Sequence, residues 1–284
     1  MIRLIATCEP ARLGWLHQFV AHYRHQGVQY FQLSLHLEPG TPATEVASAR
    51  ARAASIAEEV NLPPFREIHE PFDAMALRRH HDHIQNSECA TEDWLVWADI
   101  DEFHIFGGNL AELTEGWDRA GCNAAGGVFI DRVAREGLLP SFNPMRTIWS
   151  QYPLGCNLTA KVVRGMTKKV VIARANVRMR HANHNPLRHQ RMSWAMMDVP
   201  IHHFKWDSGV LARLSQRIDN DWKVRCAWWT QSENILNAIT ARSGRLPLDL
   251  VDTLDFEDDL LPESHTPYES NSRYGRSPFG RYEP

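Results

Sequence analysis

The sequence predicts an α/β fold with a mostly parallel central sheet and helices on both faces. Strand-like and helix-like segments alternate through residues 2–98, which is the order of a doubly wound sheet. The segment 94–98 (Trp-Leu-Val-Trp-Ala) is apolar throughout, as expected for a strand buried on both faces. An acidic segment follows directly, at the sheet edge where folds of this class bind ligands.

The elements of this first half follow from periodicity and turn signals. Residues 2–7 predict the first strand, and apolar residues then recur at helical spacing from Leu13 to Tyr23 until Gly27 ends the helix. Pro39 to Pro42 form a turn. Further strands are predicted at 30–35, 65–69 and 94–98, and helices at 44–60 and 73–87.

The second half has a looser pattern. Strands are predicted at 126–130, 168–173 and 201–206, and an amphipathic helix begins at Leu211. Strand and helix no longer alternate, so this half is expected to be mixed. We predict a single domain over 1–260, with halves 1–120 and 121–260, and a tail at 261–284 without its own core.

Composition limits the classes of partner. The chain has 31 Lys and Arg residues against 34 Asp and Glu residues, so no general positive field attracts nucleic acid. The N-terminus reaches Glu9 and Pro10 before a signal-length apolar run develops, and no stretch has the length of a membrane span. Five scattered cysteines without a Cys-x-x-Cys pair argue against a disulfide framework. We therefore expect a cytoplasmic protein without an integral membrane segment.

The acidic segment has the pattern of a metal site. Residues two apart on an extended chain face the same side, so Asp99 and Asp101 project together while Ile100 faces the packing. Clustered carboxylates repel each other, and a hard cation such as Mg²⁺ or Mn²⁺ would compensate them. Alternatively, the two aspartates cap a helix or pair with basic residues such as Arg78 and Arg79.

Several segments resemble one enzyme family. Residues 94–103 (Trp-Leu-Val-Trp-Ala-Asp-Ile-Asp-Glu-Phe) resemble the Asp-x-Asp-Glu-Phe signature of GT-A glycosyltransferases related to family two and, in particular, family ninety-two. Residues 15–28 are similar to that group's first helix, which runs from a tryptophan to a glycine. The group's basic strand, later histidine and histidine-aromatic pair are matched by 168–172, His181 and His203-Phe204. Cys8-Glu9-Pro10 departs from the group's usual Asn-Glu.

This resemblance implies a Rossmann-like GT-A fold with a nucleotide-sugar half and an acceptor half. It implies a nucleotide-sugar donor, most commonly a UDP-sugar, an acceptor hydroxyl, inversion of configuration, and Mn²⁺ or Mg²⁺ as cofactor. Of the adjacent His202 and His203, which must face opposite sides of a strand, His203 fits the family pair. The implied metal ligands are Asp99, Asp101 and His203, and the implied donor-binding residues are Glu9, Asp99 and Lys169. Separately, Arg78 and its neighbours precede the acidic strand on a predicted helix, which could direct cationic groups toward a diphosphate or present a solvated face. Arg78 is therefore a further candidate for donor binding.

An inverting transfer needs a carboxylate that accepts the proton of the acceptor hydroxyl. Asp131 follows the apolar strand 128–130 and is the leading candidate for this catalytic base. A partner for Arg132 or a turn cap is the structural alternative for Asp131. Glu102 is the second candidate, although its position beside the aspartates suits support of the metal site.

Four other functions match parts of the sequence. His181, His184 and His189 could bind zinc in a hydrolase, but Asn and Pro residues between them argue for a loop. A haloacid-dehalogenase phosphatase also uses Asp-x-Asp, but with a different following sequence. A sugar nucleotidyltransferase would need a glycine-rich basic loop after the first strand, which residues 8–12 do not provide. A non-catalytic carbohydrate-binding protein, favoured by the ten tryptophans, is the alternative from another class.

Overall fold

The fold is described here from a computed structural model, which covers residues 1–180, 184–219 and 227–256. His181 and the predicted tail at 261–284 lie outside the described residues. The described strands form one sheet of ten. They are β1 (Ile2–Cys8), β2 (Tyr30–His36), β3 (Arg66–Ile68), β4 (Trp94–Trp97), β5 (Glu102–His104), β6 (Ala124–Val133), β7 (Leu154–Cys156), β8 (Lys168–Arg174), β9 (Trp194–His203) and β10 (Thr253–Asp255).

Several of the helices begin where a polar side chain satisfies free backbone N–H groups. The Asp73 carboxylate accepts from the backbone N–H groups of Met75 and Ala76, and Asn109 caps its helix in the same way. A 3-10 helix at Pro10–Trp15 precedes the first α-helix. The α-helices are α1 (Leu16–His25), α2 (Ala43–Glu59), α3 (Ala74–Glu88), α4 (Leu110–Arg119), α5 (Ile148–Gln151), α6 (Val210–Asp219) and α7 (Ala227–Thr240).

The sheet has a parallel half and a mixed half. Strands β3, β2, β1 and β4 lie side by side and are all parallel. Strand β8 is antiparallel to both β4 and β6, and β7 is antiparallel to β6. Strand β9 runs parallel to β6 and antiparallel to β5. The α/β prediction, with a parallel first half and a mixed second half, is confirmed.

Helices cover both faces of the parallel half, as the alternation of side chains along each strand requires. Leu4 and Val96 belong to the cluster that contains residues of α1, α2 and α4. Their neighbours Ile5 and Trp97 belong to a second cluster, which contains Ile84 of α3. The helix α3 therefore lies on the opposite face of the sheet from α1, α2 and α4.

The second half departs from the predicted elements. The strand expected at 201–206 is β9, which begins at Trp194 and ends at His203. The short strands β5 and β7 were not predicted, because three residues carry no measurable periodicity and form a strand only through their partners. A third apolar cluster joins β7 to α6 and α7. No helix in the described part of the chain is both long enough and apolar enough to span a membrane.

Candidate functional site

The acidic segment is a tight turn between β4 and β5. The backbone N–H of Glu102 donates to the carbonyl of Asp99 at 2.9 Å, and the Asp99 N–H donates to the Glu102 carboxylate at 3.0 Å. Glu102 is 1% exposed, whereas the Asp99 side chain is 66% exposed. Glu102 therefore holds the turn from inside, and Asp99 faces the open side.

Lys169 lies beneath this turn because β8 is paired with β4. It is 1% exposed, and its Nζ donates to Glu102 at 2.7 Å and to Asp99 at 3.3 Å. Although burial opposes its charge, Asp99 and Glu102 raise the pKa of Lys169 above its ordinary value. Lys169 is therefore a buried cation that compensates two carboxylates. Lys169 was predicted to bind the donor. In the structure the Asp99 carboxylate lies between the Lys169 ammonium and the open side of the turn.

Asp101 has a different cation, Arg12, from the 3-10 helix after β1. Arg12 Nη1 lies 2.6 Å from Asp101 Oδ2, and the same guanidinium contacts Glu9 at 3.0 Å and Asp207 at 3.7 Å. Although burial opposes ionisation, Arg12 and then His203 lower the pKa of Asp101 to about 2. Both aspartates do pair with basic residues, as the structural alternative proposed, but the partners are Arg12 and Lys169.

His203 reaches Asp101 through the pairing of β9 with two strands. Its register partners are Glu102 on β5 and Asp131 on β6. His203 Nε2 lies 3.7 Å from Asp101 Oδ2, and its Nδ1 lies 3.5 Å from Asp131 Oδ1. The ring stacks on Phe129 with centroids 4.8 Å apart. His203 thus stands between two carboxylates.

His202 faces the other side of β9, as strand alternation predicts. It is 2% exposed, and its Nδ1 lies 3.2 Å from Nη1 of the buried Arg132. The Arg132 guanidinium is enclosed by the rings of Trp149, Phe204 and Phe256. Of the adjacent histidines, only His203 faces the acidic turn.

Asp131 is 1% exposed and accepts several hydrogen bonds. Its Oδ2 accepts from the Thr159 N–H at 2.6 Å, and its Oδ1 accepts from Thr159 Oγ1 at 2.7 Å and Trp206 Nε1 at 3.0 Å. Although burial opposes ionisation, His203 and Thr159 lower the pKa of Asp131. These contacts hold an ionised carboxylate against His203. Arg132 is not among these partners, but the bond from the Thr159 N–H also caps the short helix Thr159–Val163, as the structural alternative proposed.

Asp101 and His203 could supply part of a metal site, which water and a bound phosphate would complete. In the described part of the chain, no group of three or more His, Cys, Asp or Glu side chains is arranged to hold a metal ion. Asp101 and His203 nevertheless point at one place, and a carboxylate behind a histidine is a common support for a metal ligand. Magnesium often takes only one or two protein ligands and completes its sphere with water and phosphate oxygens.

Of the remaining predicted donor residues, Glu9 lies beside Arg12, whereas Arg78 lines a separate cavity. Glu9 follows β1, beside Arg12, with 41% of its side chain exposed. Arg78 on α3 is buried, donates to Asp82 and Gln85, and packs on the Trp97 ring. It lines a cavity of about 500 Å³ together with Arg178 and Arg180.

The histidines considered for zinc are not brought together as a metal group within the described residues. The His184 ring contacts the Lys168 carbonyl at 2.5 Å. His181 lies outside the described residues, so its predicted match to the family histidine stays a prediction.

Some site residues were missed by sequence reasoning. No sequence motif marks Arg12, and only the pairing of β1 with β4 brings its helix to Asp101.

The segment after β9 was also missed. Asp207 accepts from the N–H of Gly209 at 2.9 Å and from Arg213 at 2.8 Å, and it also contacts Arg12. Lys205 packs over the ring of Trp206, 4.9 Å from its centroid. The sequence did mark this segment, because four polar or aromatic residues (204–207) directly follow the strand that ends at His203.

Among known proteins, the chain is similar to solved structures. No family model matches it, and no curated protein matches it. TarS 1–349 of S. aureus in complex with UDP-GlcNAc is 10% identical, with a TM-score of 0.35, and the match covers 69% of this chain and 58% of that chain. HddC from Yersinia pseudotuberculosis is 9% identical, with a TM-score of 0.32, and the match covers 69% of this chain and 89% of that chain. UTP-bound UGPase from Acinetobacter baumannii is 10% identical, with a TM-score of 0.26, and the match covers 90% of this chain and 89% of that chain. The chain thus spans about three fifths of the TarS chain, and these scores assign it to none of the three.

Proposed function

We propose that the chain is a glycosyltransferase that moves a sugar from a nucleotide-sugar donor to an acceptor hydroxyl with the help of Mn²⁺ or Mg²⁺. One observation carries the proposal. The Asp101 carboxylate and the His203 imidazole converge to 3.7 Å beyond the C-terminal end of β4, beside the exposed carboxylate of Asp99. Ligands of open α/β sheets bind at this edge.

Asp99, Asp101 and His203 would hold the cation, although these three side chains are not already arranged as a metal group in the described part of the chain. Phosphate oxygens of the donor would supply further ligands. A divalent cation there would stabilise the charge that develops on the departing nucleoside diphosphate. Arg12 pairs with Asp101, so the guanidinium would share or yield that carboxylate oxygen to a bound cation. Glu9 and Arg78 stay proposed donor contacts on the β1 and α3 sides of the site.

The protein groups act by positioning. Lys169 and Glu102 fix the turn that presents Asp99, and Asp131 fixes the orientation of His203. Asp131 and Glu102 were the candidates for the catalytic base, but each is 1% exposed and already holds internal donors. We therefore propose positioning roles for both. Inversion at the sugar stays a proposal from the family resemblance.

The test is donor turnover with and without metal. Purified protein is incubated with a panel of nucleotide-sugars in Mn²⁺ or in EDTA, and release of nucleoside diphosphate is measured. We expect release in Mn²⁺ that falls strongly in EDTA. A sugar nucleotidyltransferase would instead release pyrophosphate from a nucleoside triphosphate and a sugar phosphate. A carbohydrate-binding protein would bind sugar and release neither product.

A further inference from the structure

Two cations beside the acidic turn have no carboxylate partner in the described part of the chain. Each of the other cations at this site is paired: Arg12 with Asp101, Lys169 with Glu102, and Arg213 with Asp207. Lys205 and Arg217 form no ion pair with any described residue. The charges of this site are therefore matched except at these two side chains.

The fold places Lys205 two residues beyond His203 and ties its loop to the helix that carries Arg217. Lys205 follows β9 directly, and its ammonium packs over the indole of Trp206, which donates to Asp131. The Lys205 carbonyl accepts from Arg213 Nη2 at 2.9 Å, which ties this loop to α6. Arg217 lies one turn beyond Arg213 on α6, so the two arginines share a helix face.

The charges of Lys205 and Arg217 act on each other and on the acidic turn. Burial first, and then Arg217, lower the pKa of Lys205 to about 8, while burial and then Arg213 lower the pKa of Arg217. Asp101 opposes both shifts. Both side chains are partly buried, so water screens their mutual repulsion incompletely. The nearest carboxylates cannot relieve this repulsion, because Asp101 already pairs with Arg12 and Asp131 already holds Thr159 and Trp206. An anion with more than one charge would relieve it.

We propose that Lys205 and Arg217 bind the diphosphate of the nucleotide donor beside Asp101. This proposal rests on the proposed function and specifies the phosphate contacts, which the sequence had placed at Arg78 and its neighbours on α3. The diphosphate then lies between a cation at Asp101 and His203 and the two side chains. Its oxygens accept charge-assisted hydrogen bonds from the ammonium and the guanidinium.

The experiment is calorimetric titration of the full chain with UDP, uridine and inorganic pyrophosphate, in Mn²⁺ and in EDTA. Lys205→Met keeps the apolar stem on Trp206, and Arg217→Gln keeps a polar side chain. The matched control is Arg119→Gln, which removes a 74% exposed arginine on α4. A second control is Arg79→Gln, an exposed arginine at the alternative location on α3.

We expect each site variant to weaken UDP and pyrophosphate binding roughly 10-fold to 100-fold, the loss of one charged hydrogen bond, in both buffers. Uridine binding should be unchanged, as should all binding by the two controls. Asp101→Asn should behave differently from the two site variants: it should abolish the increase in UDP affinity that Mn²⁺ provides and leave the affinity in EDTA unchanged. Unchanged UDP affinity in Lys205→Met and Arg217→Gln would overturn the proposal and leave the proposed function intact. If pyrophosphate binding depends on Lys205 and Arg217 but UDP binds no more tightly than pyrophosphate, the anion site would be supported and a nucleotide donor would not.

Discussion

The guanidinium of Arg12 and the carboxylate of Asp101 lie 2.6 Å apart, at the point where the proposed donor site also needs a metal ligand. Arg12 is 7% exposed and reaches Asp101 from the 3-10 helix after β1. The oxygen that faces Arg12 also faces His203 at 3.7 Å. Arginine and a bound divalent cation would therefore compete for the same carboxylate.

Asp101→Asn is the first test of this relationship. The substitution leaves Arg12 with weaker partners, so the free energy of unfolding in EDTA should fall by about 1–3 kcal/mol, the cost of losing a charged hydrogen bond. Turnover of the donor in Mn²⁺ should collapse, because an amide is a poor ligand for a hard cation. Asp99→Asn, at a 66% exposed side chain, is the control for stability and should leave the melt in EDTA nearly unchanged. A higher melting temperature for Asp101→Asn would show that Asp101 is repelled by its neighbours and not stabilised by Arg12.

Arg12→Met should separate stability from metal binding. Without Arg12, Asp101 and Asp207 lose a buried cation, and the free energy of unfolding should fall by about 3–5 kcal/mol, as for other broken buried pairs. The affinity of the folded protein for Mn²⁺ should rise, because the carboxylate no longer has an internal partner. Calorimetric titration with Mn²⁺ alone measures this gain. Weaker Mn²⁺ binding by the variant would mean that Asp101 is not a metal ligand.

His203→Ala should weaken Mn²⁺-dependent UDP binding more than His202→Ala does. His203 faces Asp101, whereas His202 contacts Arg132 on the other face of β9.

Asp131→Asn should also weaken Mn²⁺-dependent UDP binding. In the double variant with His203→Ala, the loss of binding free energy should be smaller than the sum of the two single losses, because Asp131 acts through His203. If Asp131 were the catalytic base, Asp131→Asn would lose turnover while UDP binding stayed intact.

The first half of the fold was predictable because its signals are local. Alternation and helical spacing within residues 2–98 reflect burial on sheet and helix faces, and β1, β2 and β4 formed close to the predicted limits. The aspartates and His203 were predictable because a motif marks them. Arg12 and Lys205 were not, since their importance depends on which strands become neighbours. Short β5 likewise exists because β9 lies beside it.

The stability of the protein should fall below pH 6.5 because buried histidines stay neutral. Burial first, and then Arg78, lower the pKa of His81 to about 3, and burial lowers the pKa of His202 well below its ordinary value. The unfolded chain takes up these protons near pH 6.5, and the folded chain does not. The stabilisation is thus complete above pH 6.5 and is lost as the pH falls toward 3.

His81→Gln tests this directly by denaturant unfolding between pH 7.5 and 5 in EDTA. Each such histidine contributes up to about 1.4 kcal/mol per pH unit to the slope below pH 6.5. The variant should therefore show a shallower slope than the wild type. His83→Gln, at an exposed position on the same helix, should keep the wild-type slope. Equal slopes in all three proteins would mean that His81 is protonated in the folded state.

Gly127→Ala tests how closely β6 and β9 must approach to bring Asp131 to His203. A Cβ at Gly127 would lie 2.6 Å from the Val199 carbonyl oxygen, 2.7 Å from Val171 Cγ1 and 2.9 Å from Ile201 Cγ1. The backbone of β9 cannot yield without shifting the strand, so we expect a loss of about 1–3 kcal/mol in the free energy of unfolding, the usual cost of overpacking. The same shift should weaken Mn²⁺-dependent UDP binding.

The matched control for Gly127→Ala is Gly116→Ala, within α4, where a Cβ would meet nothing within 4 Å. Alanine is the better helix former, so Gly116→Ala should raise the free energy of unfolding by about 0.5–1 kcal/mol. Both variants add one methyl group to a glycine, and they should change stability with opposite signs. Chemical denaturation in EDTA measures the two changes, and UDP titration in Mn²⁺ measures their effect on the site. If Gly127→Ala unfolded like the wild type and bound UDP normally, the close approach of β6 to β9 would not be what sets the Asp131–His203 contact.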